Sequence, residues 1–500
     1  MPLLLGIDIG TSGTKALISD ERGRVLATAT AEYPLSTPQP LWSEQDPVDW
    51  WRGTLEAVSA ALSDPRVSPQ SVAAIGLTGQ MHGAVFLDSR GLVIRPAMLW
   101  NDQRTAAECA EITERVGAAR LIELAGNPAL TGFQAPKIVW LRNHEPEHFD
   151  RVAQVLLPKA YIRLLLTGER ATDAADAAGT LLLDLRARDW SAEILGALDL
   201  PREWLPRVYE GPEIAGRLLD SVATELGLPA GLPVIAGGGD NAAAAVGTGV
   251  VRPGVVSSSI GTSGVVFAHS AQIALDPLGR LHTFCHSVPQ AYHLMGVSLA
   301  AGGALRWLRD VLGQSSYDAM TVQAAAVPPG AEGLLFLPYL TGERTPHLDP
   351  LARGAFVGLT TRHTSAHLTR AVMEGVVYAL RDGVEIMRGL GVPFEQIRAT
   401  GGGGRSALWR QMQADIYGAE VVTLQADQGP AYGAALLAGV GAGLFESVTA
   451  AVDQCVVVSG HTMPEAAAQP RYDEIYGIYR GLYGALREDM HALAALAAAA

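Results

Sequence analysis

The chain has 500 residues, about three times the ~150 residues of one ordinary domain, so more than one core is expected. Apolar residues make up 48% and charged residues 18%, which supplies material for sizeable cores and excludes intrinsic disorder. Thirty-seven basic against 51 acidic residues leave a net charge of −14, which repels phosphate backbones and anionic lipid and excludes nucleic acid and membrane as expected partners.

From the N-terminus, Leu3 to Asp8, Thr14 to Ser19 and Arg24 to Tyr33 read as a three-strand meander, punctuated by Gly10-Thr11-Ser12-Gly13 and Asp20-Glu21-Arg22-Gly23. Met1 to Leu5 is apolar but lacks a basic leader, so no export signal is expected. Helical spacing follows over Asp46 to Leu62 and over Ala106 to Leu124. Strand Pro233 to Ala236 runs into Gly237-Gly238-Gly239-Asp240, and the domain boundary is placed in this region, giving units 1–245 and 246–488. Gly254 to Ile260 is a second strand running into Gly261-Thr262-Ser263-Gly264, so the same tetrapeptide follows a strand in each half, as in a duplicated architecture. Helices are expected over Leu368 to Leu390 and Ser406 to Tyr417. Gly429 to Phe445 falls short of a ~20-residue membrane span and reads as a buried helix. Residues 489–500, nearly all Ala and Leu at the end, are expected to be a flexible tail. The fold class is α/β.

Three cysteines, Cys109, Cys285 and Cys455, are odd in number and far apart, which is no disulfide framework and fits the cytoplasm. Only three of the 37 basic residues are lysines, Lys15, Lys137 and Lys159, and none follows a glycine. A Walker A loop is therefore excluded, because its lysine must follow the last glycine of the loop to reach the β- and γ-phosphates.

Asp8 ends a buried strand facing a turn of small residues with free N–H groups, the arrangement phosphates and a hard cation need. The competing reading is a structural hairpin capped by Asp8. Asp240 sits where a glycine turn meets a helix start; it is either an N-cap or a general base that takes a proton from an attacking hydroxyl. Gly237 to Ala242 and Gly402 to Ala407 match the dinucleotide pattern G-x-G-x-x-A, but neither opens a βαβ unit with an acidic ribose ligand, so both are discounted as nicotinamide sites. The run Gly401 to Gly404 still suits close packing of an adenosine. Met81, His82, Trp100, Asn101 and Asp102 follow strand ends and suit a sugar pocket; a core histidine and a packing tryptophan are the alternative. His144-Glu145-Pro146-Glu147-His148 matches H-E-x-x-H only literally, since Pro146 breaks the helix zinc would require, and it reads as a loop. In His282-Thr283-Phe284-Cys285-His286, strand alternation points Cys285 away from the histidines.

These blocks, in this order, resemble the FGGY family of carbohydrate kinases nearly end to end. They include Gly6-Ile7-Asp8, Gln80-Met81-His82-Gly83, Trp100-Asn101-Asp102, Asp176-Ala177-Ala178-Gly179-Thr180, Gly237 to Ala243, Gly261 to Val265 and Gly342-Glu343-Arg344-Thr345-Pro346-His347. The resemblance implies two actin-like, ribonuclease-H-like ATPase domains with the active-site cleft between them. It implies ATP and Mg²⁺ as co-substrate and cofactor, and the Gln80 to Gly83 block favours D-xylulose over glycerol or ribulose. It further implies Asp240 as catalytic base, Asp8 at the metal, and Met81, His82, Asp240, Asn241, Trp100 and Asp102 at the sugar. Thr11, Ser12, Gly261, Thr262, Gly402 and Gly403 fall to the nucleotide. A kinase for another pentulose or pentitol and a non-catalytic sugar sensor on the same scaffold are the alternatives. An apolar second domain makes a homodimer reasonable.

Overall fold

The computed structural model describes residues 1–425 and 428–498. The first half is built on a mixed sheet of seven strands: β1 (Leu3–Ile9), β2 (Gly13–Asp20), β3 (Val25–Glu32), β4 (Val72–Gly79), β5 (Ile214–Arg217), β6 (Pro233–Ile235) and β7 (Gly238–Gly239). Its order is β5-β6-β4-β1-β2-β3, with β7 also pairing to β4. Helix α1 (Pro47–Leu62) covers one face; Asp46 caps it by accepting from the Val48 N–H, and Pro47 occupies the first turn, where its missing donor costs nothing. Helix α2 (Asp240–Thr248) leaves the β7 edge.

The second half repeats the plan. Its sheet contains β8 (Gly254–Ile260), β9 (Gly264–Ser270), β10 (His282–Cys285), β11 (Tyr292–Ser298), β12 (Phe394–Thr400), β13 (Glu420–Leu424) and β14 (Val458–Thr462), in the order β10-β11-β9-β8-β12-β13-β14. In each half the first strand lies between a parallel neighbour (β4, β12) and an antiparallel hairpin mate (β2, β9). The two hairpins are the two Gly-Thr-Ser-Gly turns. Helices α3 (Gly302–Val311) and α4 (Ser365–Gly389) pack on this sheet, α4 burying Val372, Val376, Leu380 and Val384 at helical spacing.

Helix α5 (Pro430–Gly441) joins the halves. It comes from the second half, yet Ala431, Ala435 and Leu436 pack with Leu4, Leu17, Ala74 and Ile235 of the first. A Cβ on Gly6 or Gly76 would lie 1.9 Å from the carbonyl oxygen of Ala431 or Ala434, so the helix seats directly on the sheet backbone. Contact on several faces explains why this segment is apolar all round. Lys15 adds a polar tie by donating to the Gln428 carbonyl at 3.0 Å. Among the described residues no helix is long and apolar enough to cross a membrane.

Three local expectations change. The segment Ala106 to Leu124 is two helices, Ala106–Val116 and Ala118–Ala125, because Gly117 takes φ 96° between them. His144 ends one helix and Pro146–Phe149 forms a further helical turn, so this segment is a helix break rather than a loop; Glu108 holds His144 and Glu145 holds His148. Residues 489–498 are not a tail. They continue α6 (Gln469–Ala498), with Met490 and Ala494 buried and His491 donating to Asp349 at 2.8 Å. The Ala-Leu composition that suggested fraying is a good helix former with an apolar stripe to bury.

Candidate active site

Asp8 and Asp240 reach one edge of the first sheet by the flanks of β4. Asp8 registers with Thr78 from β1, and Gly238 registers with the same Thr78 from β7, so Asp240 emerges beside Asp8 as α2 begins. Gly239 is the N-cap of α2 and Asp240 its first residue. The Asp240 Oδ1 accepts from the Asn241 N–H at 2.7 Å and the Asn241 Nδ2 at 2.9 Å, which aims the carboxylate without closing the helix end. Burial pushes the Asp240 carboxyl up to about 6, against the two Asn241 hydrogen bonds. Burial, then the charge of Asp240, push Asp8 up to about 7, with Lys15 opposing. Among the described residues the Oδ1 of Asp8 is buried with no hydrogen-bond partner. An unpartnered carboxylate oxygen beside a second carboxylate fits a hard divalent cation.

Met81 and His82 follow the end of β4, and His82 lines a narrow pocket. A Cβ on Gly239 would lie 2.6 Å from Met81 Cγ, and one on Gly179 would lie 2.7 Å from Met81 Cε and 2.9 Å from His82 Nδ1, so two glycines seat this pair. His82 Nδ1 lies 2.5 Å from the Gly179 carbonyl oxygen, which can only accept, so Nδ1 carries the proton and Nε2 is left as an acceptor. Burial, with lesser pushes from the charges of Lys137 and Arg344, holds His82 down near 3 and neutral. The pocket, about 40 Å³, is lined by His82, Trp100 and Phe133 from the first half and by His282, Phe284, Met295 and Arg344 from the second. Phe133 stands edge-on to His82 with centroids 4.9 Å apart. Buried Lys137 fixes this wall by donating to the carbonyls of Gly132 and Phe133.

Trp100 is no packing tryptophan: it is 46% exposed and its Nε1 donates to Thr11 Oγ1 at 2.9 Å. Thr11 in turn donates to Gln80 at 3.2 Å, so its hydroxyl braces the Trp100 wall of the narrow pocket, while Ser12 at the turn tip is exposed. Asp102 departs from the sugar-contact expectation. It is fully buried, with Oδ2 accepting from the Ser43 N–H at 2.7 Å and Arg104 taking both oxygens. Arg104 lies 3.5 Å over the Trp42 ring, and this network anchors the loop that presents Trp100.

Of the residues expected at the nucleotide, Gly261, Thr262 and Gly402 converge elsewhere, without Thr11 and Ser12. A cavity of about 750 Å³ in the second half is lined by Gly261 and Thr262 after β8, Gly302 and Gly303 at the start of α3, and Gly402. Tyr317, Val322 and Leu408 supply apolar walls, a composition suited to a purine and ribose. Gly403 does not line it; its missing Cβ admits Ile260, which would lie 2.5 Å away. The N–H groups of Ala301 and Gly303 both donate to the Thr262 carbonyl, at 2.9 and 3.0 Å, locking the two glycine turns together. Gly302 and Gly303 were missed in the sequence, although a glycine pair opening a helix is an available signal. His282, Phe284 and Phe133 were also missed, because only tertiary contact brings them to one pocket. Asn127 holds His282 at 2.7 Å and the Val250 carbonyl holds His286 at 3.1 Å.

The FGGY family of carbohydrate kinases matches through its N-terminal domain over residues 3–247 and its C-terminal domain over residues 256–442. The chain is 46% identical over 485 residues to a xylulose kinase of Escherichia coli K12, covering 96% of this chain and 99% of that one. It is 43% identical to a xylulose kinase of Lactococcus lactis, covering 99% of each. The solved structure of a xylulose kinase from Rhodospirillum rubrum superposes with a TM-score of 0.92 at 33% identity, covering 98% of this chain and 100% of that one. With both halves of the family matched and both pockets built from matched segments, the chain belongs to the FGGY family of carbohydrate kinases.

Proposed function

We propose that the protein transfers the γ-phosphoryl group of ATP to the 5-hydroxyl of D-xylulose, giving D-xylulose 5-phosphate and ADP. The observation that carries this reading is the pair Asp8 and Asp240, set beside Met81 and His82, with His82 lining a pocket built from both halves. The long, full-length likeness to xylulose kinases supports the choice of sugar.

Asp240 is the general base. A carboxyl held near 6 is ionised at neutral pH yet basic enough to take the proton of an attacking hydroxyl, and Asn241 keeps it aimed. Met81, His82, Asn241 and Trp100 hold the sugar, with His82 Nε2 accepting from a hydroxyl. Asp102 acts at one remove, as a positioning residue for Trp100 through Arg104 and Ser43. Gly402 flanks the adenosine, and the Gly261-Thr262 turn faces the phosphates, with the Gly261 N–H closing the turn on the Ser263 carbonyl at 3.0 Å and the Thr262 N–H offered as donor. The Thr11-Ser12 turn closes the cleft from the opposite half, Thr11 through its bonds to Gln80 and Trp100. Asp8, with its unpartnered oxygen, would hold Mg²⁺, which would supply positive charge against the phosphates. Closure of the halves over the cleft excludes water and limits wasteful hydrolysis. Three free cysteines favour a reducing cytoplasm, and we assign the enzyme there. A coupled ADP-release assay with Mg·ATP tests the reading: turnover that needs D-xylulose supports it, and ADP release independent of sugar overturns it.

A further inference from the structure

We propose that Arg344 binds the C2 carbonyl of the open-chain sugar and so makes the site select a ketose over its reduced alcohol; this deepens the D-xylulose reading and rests on it. Arg344 enters the narrow pocket from the second half, facing His82 and Trp100 of the first. Among the described residues its guanidinium has no hydrogen bond or ion pair, although the adjacent Glu343 is engaged by Ser298 Oγ at 2.8 Å, the Leu299 N–H at 3.0 Å and the Arg344 N–H at 2.7 Å. The backbone is therefore pinned while the guanidinium is left for a ligand.

The remaining polar groups of the pocket decide which part of the sugar it takes. His82 gives its Nδ1 proton to Gly179, which leaves Nε2 as an acceptor. Asn127 spends its Nδ2 protons on the carbonyls of Ala125 and Thr283, so its Oδ1 accepts from His282 Nδ1, and His282 Nε2 is likewise left as an acceptor. Trp100 Nε1 is committed to Thr11. Arg344 is then the one lining side chain among the described residues that offers uncommitted donors. A sugar hydroxyl can satisfy a histidine acceptor. A carbonyl oxygen can only accept, so Arg344 is its partner.

The chemistry of the reaction requires this carbonyl. In D-xylulose the 5-hydroxyl is the group that closes the furanose ring by adding to C2, so a free 5-hydroxyl at Asp240 implies a free carbonyl at C2. A fixed cation at the far end of the site captures that form and penalises a ligand without a carbonyl.

The test compares binding of D-xylulose and xylitol, by calorimetry without ATP, to the wild type, Arg344→Met and Arg344→Lys, with ATP affinity and thermal unfolding as controls. In Arg344→Met, D-xylulose should weaken at least about 30-fold and xylitol much less, so that the ketose preference collapses. Arg344→Lys, which keeps the charge but loses the fork, should fall between. Unchanged D-xylulose affinity, or equal loss of both sugars with fold and ATP affinity intact, would overturn the assignment. Carbon-13 spectra of D-xylulose labelled at C2 and bound to the wild type give a test without any variant: a ketone resonance is expected, and a hemiketal resonance contradicts the proposal. Should the wild type bind neither sugar and turn over no pentulose, the D-xylulose reading itself fails, a different outcome from a wild type that works with Arg344 indifferent.

Discussion

Asp8 and the strand that leads into Asp240 flank one residue: Asp8 registers with Thr78 from one side, and Gly238, two residues before Asp240, registers with Thr78 from the other. This places two carboxylates on one sheet edge, and the charge of Asp240 helps push Asp8 up to about 7. A protein gains nothing in stability from such a pair, so the arrangement points to a ligand that needs both.

Asp240→Asn should keep the shape of the site while removing its base. We expect kcat to fall by about 10³, within the 10²–10⁴ range of general-base losses, with the KM for ATP changed by no more than about threefold. In the wild type, kcat/KM for the sugar should drop as pH falls through about 6, where Asp240 takes up its proton. A flat profile from pH 5 to 8 would separate Asp240 from the proton transfer.

The same substitution should stabilise the free enzyme. Burial lifts the Asp240 carboxyl from 3.8 to about 6, so its stabilising contribution is complete below 3.8 and lost as pH rises through 6. At pH 8 Asp240→Asn should therefore be more stable by about 1–3 kcal/mol, the gap narrowing towards pH 5. Thermal unfolding at both values measures it.

Gly402→Leu should act on the nucleotide alone. A Cβ there meets only the Ile260 carbonyl at 3.6 Å, an ordinary contact, so the added side chain projects towards the 750 Å³ cavity instead of breaking the turn. The KM for ATP should rise at least about tenfold, with sugar affinity unchanged.

Gly179→Val should do the reverse. Its side chain would strike Met81 Cε and His82, displacing the sugar-side pair while the nucleotide cavity stays intact. The KM for sugar should rise at least about tenfold with ATP affinity preserved; an equal loss for both would mean a global defect.

Truncation after Glu488 removes the buried Met490 and the His491–Asp349 bond. We expect a loss of about 2–4 kcal/mol in denaturant unfolding, where a fraying tail would cost nothing.

The strands, the paired Gly-Thr-Ser-Gly hairpins and the α5 segment were legible because period, turn residues and uniform apolarity are local signals. The position of Asp240, between a glycine turn and a helix start, was legible for the same reason. Asp102 misled because a carboxylate after Trp100 looks the same in sequence whether it meets a sugar or Arg104, and only burial with two partnered oxygens separates the cases. Arg344 and Glu343 could be noted but not divided in role, since the division depends on which of them finds partners in the fold. The terminal helix was misread because composition alone cannot show a groove waiting for Met490 and Ala494.

The most direct test of the central claim is ADP release with Mg·ATP across D-xylulose, D-ribulose, L-ribulose, L-xylulose, glycerol, D-arabitol and no sugar. The account predicts that D-xylulose has the highest kcat/KM and that Asp240→Asn lowers this turnover by about 10³. Silence across the panel, or equal turnover with and without sugar, would contradict it.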